Sequence, residues 1–341
     1  MPTPTGALLG ADYMVPDEER ARPQRRAREE SYRALVARLS HQSVVKHFDA
    51  YADIPWDSPE FRIDPDDARW ELPPDDVLGG TEWYRGQPPG VRARIGLHMM
   101  ATFMKIGLQF EGVLKRGLLE FALRLPNGAP EFRYAYHEII EEAQHSLMFQ
   151  EFVNRTGFDI PGLVWWQRLG ARGVIHLGRA YPELFFIFVL GGEDPIDHVQ
   201  RMALRSGREL HPLLRRIMQI HVTEEARHLC FARHYLREHV ARLGAVGRFG
   251  LALRAPIILG LMAPLMLRPS GQIARTYDIP RAVMQEAYTR NPVHRAKIQE
   301  ALGKVRDLCG ELGLVTPVSR RLWQVLGLGD PVRWPSRPDL A

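Results

Sequence analysis

Apolar residues along most of this chain recur at three- and four-residue intervals, the spacing of one face of an α-helix. Between Arg25 and Phe48 the series Tyr32, Leu35, Val36, Leu39, Val44, Val45 predicts a first helix. Residues 52 to 90 lose that rhythm and carry Pro and Asp in IPWDSPEF, IDPDD and LPPDD, which predicts an irregular wrap. The rhythm returns in a helix from Val91 to Leu125, closed by Pro126-Asn127-Gly128, and a second from Glu131 to Thr156, closed by Gly157. An apolar run, Leu184 to Leu190, is followed by GGEDP and a helix through Arg208. His211-Pro212 then opens a helix to about Leu243. No sustained period-two alternation predicts a strand. The expectation is an all-α protein: a mobile tail at 1–24, the helix and wrap at 25–90, a helical bundle at 91–245, and a C-terminal helical appendage at 246–341 packed on the bundle.

Composition changes this picture little. Hydrophobic residues make up 45% and charged residues 25%, as in ordinary globular proteins. The net charge of +5 is spread along the chain. Its one cluster, Arg22 to Arg28, soon alternates with Glu, so a solvated helix start is expected and no nucleic-acid partner. Two distant cysteines, Cys230 and Cys309, make no disulfide framework. With no apolar signal-peptide core at the N-terminus, a cytoplasmic location is expected. The apolar stretch LALRAPIILGLMAPLML at 251–267 is interrupted by Arg254, Pro256 and Pro264. A buried, Pro-kinked helix is expected there, without membrane contact.

The candidate chemistry lies in HVTEEARH. His221, Glu225 and His228 stand at offsets of four and seven, on one helix face. Upstream, EIIEEAQH holds a second Glu-x-x-His in Glu142 and His145. A Glu-x-x-His on each of two helices, with one Glu from each of two others, is the ligand pattern of di-iron carboxylate bundles. Glu111 and Glu193 fit the single positions, because Glu111 to Glu142 spans 142 − 111 = 31 residues and Glu193 to Glu225 spans 225 − 193 = 32. Two similar hairpins would then make a pseudo-symmetric site. Glu120 competes with Glu111; Glu183, Asp194 and Asp197 compete with Glu193, which could also be a helix N-terminal acid. A lone Glu-x-x-His is commonly a solvated pair; two of them with matched upstream acids are not readily explained that way. The HExxH zinc motif is absent, and four carboxylates with three imidazoles exceed what catalytic zinc uses. Manganese stays open by ligand type.

At YHEIIEEAQHSLMF and IHVTEEARHLCFA the sequence resembles the p-aminobenzoate N-oxygenase family, over about residues 80 to 240. The family's specific mark is a third His one turn before the last Glu-x-x-His, here His221. The resemblance implies a ferritin-like four-helix bundle with extra N- and C-terminal helices. It implies Glu111, Glu142, His145, Glu193, His221, Glu225 and His228 as ligands of two Fe ions, with O2 as co-substrate through a peroxo-diferric species. It further implies N-oxygenation of a free or carrier-bound (aryl)amine in secondary metabolism, an external electron donor such as a ferredoxin or reductase, and a homodimer. The competing readings are a C–H hydroxylase or desaturase on the same site, a ferritin-like iron-binding protein without organic substrate, and a metal-free helical scaffold.

Overall fold

The computed structural model describes residues 17–269 and 271–329. Most of the expected tail lies outside them. The first helix, α1 (Asp17–Val45), begins ahead of the expected Arg25. The irregular wrap follows, with single 3-10 turns at Pro59–Phe61 and Ala68–Trp70 and the short α2 (Glu82–Arg85). It is pinned rather than loose: the Trp70 indole donates to the Asp64 carbonyl at 3.0 Å and stacks on His211 at 4.5 Å between ring centroids. Next come α3 (Pro89–Ala122), α4 (Pro130–Thr156), α5 (Trp165–Ala180), α6 (Pro182–Arg205) and α7 (Pro212–Val240). The C-terminal part holds α8 (Ala245–Leu267), α9 (Gly271–Thr276), α10 (Arg281–Met284), α11 (Pro292–Ala301), α12 (Gly303–Glu311) and α13 (Pro317–Val325). No strand occurs among the described residues. The fold is all-α, a ferritin-like bundle.

Four helices make that bundle, and each starts on a proline in its first turn. Proline presets the helical φ, and the N–H it lacks would have had no partner there. Gly157 closes α4 with φ 70°, a left-handed conformation that costs glycine little. Helices α3 and α4 form one hairpin and α6 and α7 the other; the hairpins meet through α3 against α6 and α4 against α7. Helix α1 lies over α4 and α7, while α8, α11 and α12 lie on α6.

Helix α5 is not among the expected elements. It crosses between the hairpins, on α3 and α6. The crossing is close because two glycines meet: a Cβ on Gly178 would stand 2.0 Å from the Gly117 carbonyl oxygen. GGEDP also behaves differently from the expected break, since α6 runs through it with Pro195 inside the helix. Gly192 faces Phe110, whose Cζ would be 2.2 Å from an added Cβ. The glycine pair therefore serves close packing rather than chain reversal, and Glu193 sits mid-helix, not at an N-terminus.

Helix α8 carries the apolar segment 251–267 and packs on α6 and α13. One face, with Leu251, Ala255 and Leu259, is buried against the bundle. Ahead of that segment Val246 and Phe249 are exposed, and within it Ile257 and Leu261, so 33% of the apolar window Ala245–Ala263 is buried. By length and composition this one helix among the described residues could cross a membrane.

The bundle core is divided. One apolar cluster includes Phe110, Leu114, Tyr134, Phe186 and Phe231; a second includes Met104, Phe149, Ile217 and Ile220. Along α4 and α7 the buried residues between these clusters are mostly Glu, His and Arg, and Glu111 of α3 is buried beside them. The bundle thus encloses a polar layer between two dry ones.

Candidate metal centre

All seven residues singled out in the sequence lie in that layer, and all are buried. Their donor atoms converge in overlapping sets. Glu111, His145 and His221 lie within 4.8 Å of one another, as do Glu142, His145 and Glu225, and Glu193, His221 and Glu225. His228 Nδ1 stands 3.0 Å from Glu225 Oε1 and 3.1 Å from Glu142 Oε1. The competitors fall elsewhere. Glu120 and Glu183 are only partly buried and join no cluster among the described residues. Asp194 is paired with Arg233, and Asp197 with Arg201 at 2.6 Å.

Helix geometry explains the convergence. On α4 and α7 the Glu and His of each Glu-x-x-His are three apart and stack on the inward stripe. Both imidazoles turn Nδ1 inward and Nε2 outward. His145 Nε2 is 2.8 Å from Glu224 Oε2, and His228 Nε2 is 2.7 Å from Glu141 Oε2. Each outer carboxylate directly precedes the inner Glu of one hairpin and holds the His of the other. This reciprocal pairing holds the proton on Nε2, so that Nδ1 offers its lone pair to the centre once its own proton is lost. Arg227 binds the two outer carboxylates together, donating to Glu141 at 2.8 Å and lying 3.5 Å from Glu224. Glu224 also accepts from the Phe48 backbone N–H at 3.1 Å, which ties α1's end to the site. Ser146 donates to Glu111 Oε2 at 2.8 Å, and Lys115 donates to the Glu142 carbonyl at 2.9 Å.

Glu141, Glu224 and Arg227 were not anticipated. The signal was present: both motifs read Glu-Glu-x-x-His, and the doubled acid marks the outer carboxylate. Glu138, one turn before Glu142, was also passed over. It is buried and lies within 4.8 Å of Glu142 and His228.

Charge is unevenly held. Burial pushes the Glu111 carboxyl up, with Glu142 adding to it, to about 8. Burial and then Glu225 raise Glu193 well above the usual range. Burial alone would raise Glu141 too, but the hydrogen bond from His228, then the charges of His228 and Arg227, hold it at about 2. Glu142 ends low for a similar reason, between His145 and His228. Burial disfavours charge on His145 and His228, yet their carboxylate partners raise both well above an ordinary histidine. His221 lacks such a partner; burial, reinforced by His145, lowers it and keeps it neutral.

These residues fit a pair of cations. Both oxygens of Glu193, Glu111 Oε1 and Glu225 Oε2 are buried with no hydrogen-bond partner among the described residues. Each such atom costs on the order of 1–3 kcal/mol unless something satisfies it. Four inner carboxylates offset two divalent ions, and three imidazoles complete the donor set.

Comparisons agree with the geometry. The family model described as p-aminobenzoate N-oxygenase AurF matches residues 29–313. The uncharacterized protein Rv0885 of Mycobacterium tuberculosis (strain ATCC 25618 / H37Rv) is 41% identical over 308 residues, 90% of this chain and 91% of that protein. The uncharacterized protein Mb0909 of Mycobacterium bovis (strain ATCC BAA-935 / AF2122/97) matches with the same identity and coverage. No solved structure matches the chain significantly. By the match over 29–313, this chain belongs to the p-aminobenzoate N-oxygenase AurF family.

Proposed function

We propose that this chain is a non-haem di-iron oxygenase that N-oxygenates a small, amine-bearing aromatic substrate. The observation that carries the reading is the third inward imidazole, His221, set among four convergent carboxylates and the two Glu-x-x-His histidines. Glu111, Glu142, His145, Glu193, His221, Glu225 and His228 would hold two irons, which when bound would activate dioxygen and supply the oxidising equivalents.

The chain's own residues do the rest. Glu141 and Glu224 hold the two imidazoles in one orientation and one tautomer. Arg227 binds those outer carboxylates together and, with His228, keeps Glu141 charged. Phe110, Phe149 and Phe231 are buried in the apolar clusters on either side of the centre and help exclude water from it. His221 stays neutral, so it offers a lone pair where a protonated imidazole would repel a cation. Re-reduction needs electrons from outside, which supports a ferredoxin- or reductase-type partner.

Access lies beside His145. The crevice there, lined by Phe48, Ala50, Gln144, His145, Met148 and Ile220, leaves no room for a water-sized sphere, whereas typical ligand pockets hold roughly 300–1,000 Å³. An aromatic amine therefore requires side chains such as Met148 or Phe149 to swing aside. The small cleft gives specific support to one other reading, an iron-handling protein without organic substrate.

Both readings meet one experiment. Iron-loaded protein, a chemical reductant, dioxygen and a panel of aryl and alkyl amines are incubated and analysed by mass spectrometry. Hydroxylamine or nitro products, abolished by His221→Ala, support N-oxygenation. Oxygen on carbon would make the protein a hydroxylase. Iron oxidation with every amine unchanged would favour iron handling.

A further inference from the structure

We propose that Glu138 is an eighth metal ligand, the α4 counterpart of His221, and that it makes the two metal positions chemically unequal. This rests on the two-metal reading above.

Register is the first argument. On α7 the inward stripe reads His221, Glu225, His228; on α4 it reads Glu138, Glu142, His145. Each begins four residues before the inner Glu and ends three residues after it. A pseudo-two-fold relation between the hairpins therefore superposes Glu138 on His221.

Placement agrees. Glu138 groups within 4.8 Å with Glu142 of its own helix and His228 of the opposite hairpin. His221 does the same with Glu225 of its own helix, and its ring centroid lies 4.8 Å from that of His145 on the opposite hairpin. Each first residue of a stripe thus approaches the imidazole of the other half.

Burial completes the case. Glu138 is 1% exposed, and neither of its oxygens has a hydrogen-bond partner among the described residues. Three other buried glutamates outside the inner set are paired with arginine: Glu141 and Glu224 with Arg227, Glu238 with Arg28 at 3.0 Å. A glutamate buried only for packing would be expected to carry such a partner. A cation beside His228 is the partner this position fits. The result is an imidazole-rich position at His145 and His221 and a carboxylate-richer one at His228 and Glu138.

The test uses Mn(II), a redox-stable probe for oxygen-rich sites. Free Mn(II) is counted by electron paramagnetic resonance during titration of the wild-type chain and of the near-isosteric Glu138→Gln variant. The proposal expects two ions in the wild type; in the variant, one ion is retained and the other weakened at least tenfold. Wild-type affinity for both ions in Glu138→Gln overturns it. In parallel, anomalous diffraction from Mn(II)-loaded wild-type crystals reads the ligand without any substitution, so a variant that fails to fold leaves the question decidable. A Glu138 oxygen at about 2.2 Å from a metal peak supports ligation. Two peaks, both more than about 3.5 Å from Glu138, overturn the proposal while leaving the two-metal reading standing. A wild type that binds no ion overturns both.

Discussion

Replacing Glu141 separates an outer hydrogen bond from the metal donors themselves. Its carboxylate stands 2.7 Å from His228 Nε2 and 2.8 Å from Arg227, and burial excludes water from both contacts. These partners hold its pKa at about 2, against 4.5 for the free group. At 1.36 kcal/mol per unit, that difference is about 3 kcal/mol of preference for the charged form. Glu141→Gln keeps an acceptor for the imidazole N–H but removes the charge; Glu141→Leu removes both. Outer partners of this kind are worth about 10–100-fold in metal affinity, or roughly 1.4–2.7 kcal/mol, which fits within that 3 kcal/mol. The Gln variant should fall at the lower end and the Leu variant at the upper. The loss should concentrate on the ion bound by His228, while Glu224→Gln should weaken the ion bound by His145. Anaerobic Fe(II) competition against a chromophoric chelator measures both affinities. Unchanged binding of both ions in Glu141→Leu would refute the reciprocal arrangement.

Further outcomes follow from the same geometry. Metal affinity should climb between pH 5 and 8, because His145, His228, Glu111 and Glu193 must lose protons that the raised pKa values retain; a flat isotherm series across that range would contradict this. The folded pKa of Glu111, about 8, exceeds its unfolded value, so its contribution favours the metal-free fold below pH 4.5 and is lost as pH rises toward 8. Glu141 acts oppositely: its contribution is present above pH 4.5 and lost as pH falls through 2. Denaturation of metal-free protein should therefore show stability falling from pH 5 to 8, and metal-loaded protein should not follow it. Gly192→Ala presses a Cβ into the Phe110 ring and should cost about 1–3 kcal/mol, seen as a lower Tm with weaker iron retention through neighbouring Glu193; wild-type Tm and iron content would count against the packing role. His221→Ala should lose iron yet keep its helical circular dichroism, whereas full iron content would remove His221 from the site.

Much of the centre was legible because helices translate spacing into position. Two Glu-x-x-His pairs at matched distances from upstream acids predicted two hairpins and seven convergent residues, and the structure brings those seven together. Other features were hidden for identifiable reasons. Glu141 and Glu224 each stand beside a second Glu, and Glu138 beside His137; such charged positions on a helix look the same whether they face solvent or a buried charge layer. GGEDP resembles a breaker, yet tertiary packing of Phe110 and Leu259 against Gly192 and Gly191 keeps it helical. Helix α5 is amphipathic but buries only Ile175 and Gly178, and carries no charged donor toward the centre that would have drawn notice to it. The apolar segment at 251–267 is buried on one face as expected, while the start of α8, Val246 and Phe249, is exposed because no neighbouring helix among the described residues covers it.

The most direct measurement is iron stoichiometry followed by reaction with dioxygen. Protein is loaded with Fe(II) without oxygen, washed, and its iron counted per chain. It is then mixed with oxygenated buffer in stopped flow while visible absorption is recorded. The account predicts two irons per chain and an oxygen-dependent transient absorption, both lost in His221→Ala and Glu225→Ala. Less than stoichiometric iron in the wild type, or two irons retained in those variants, would contradict it.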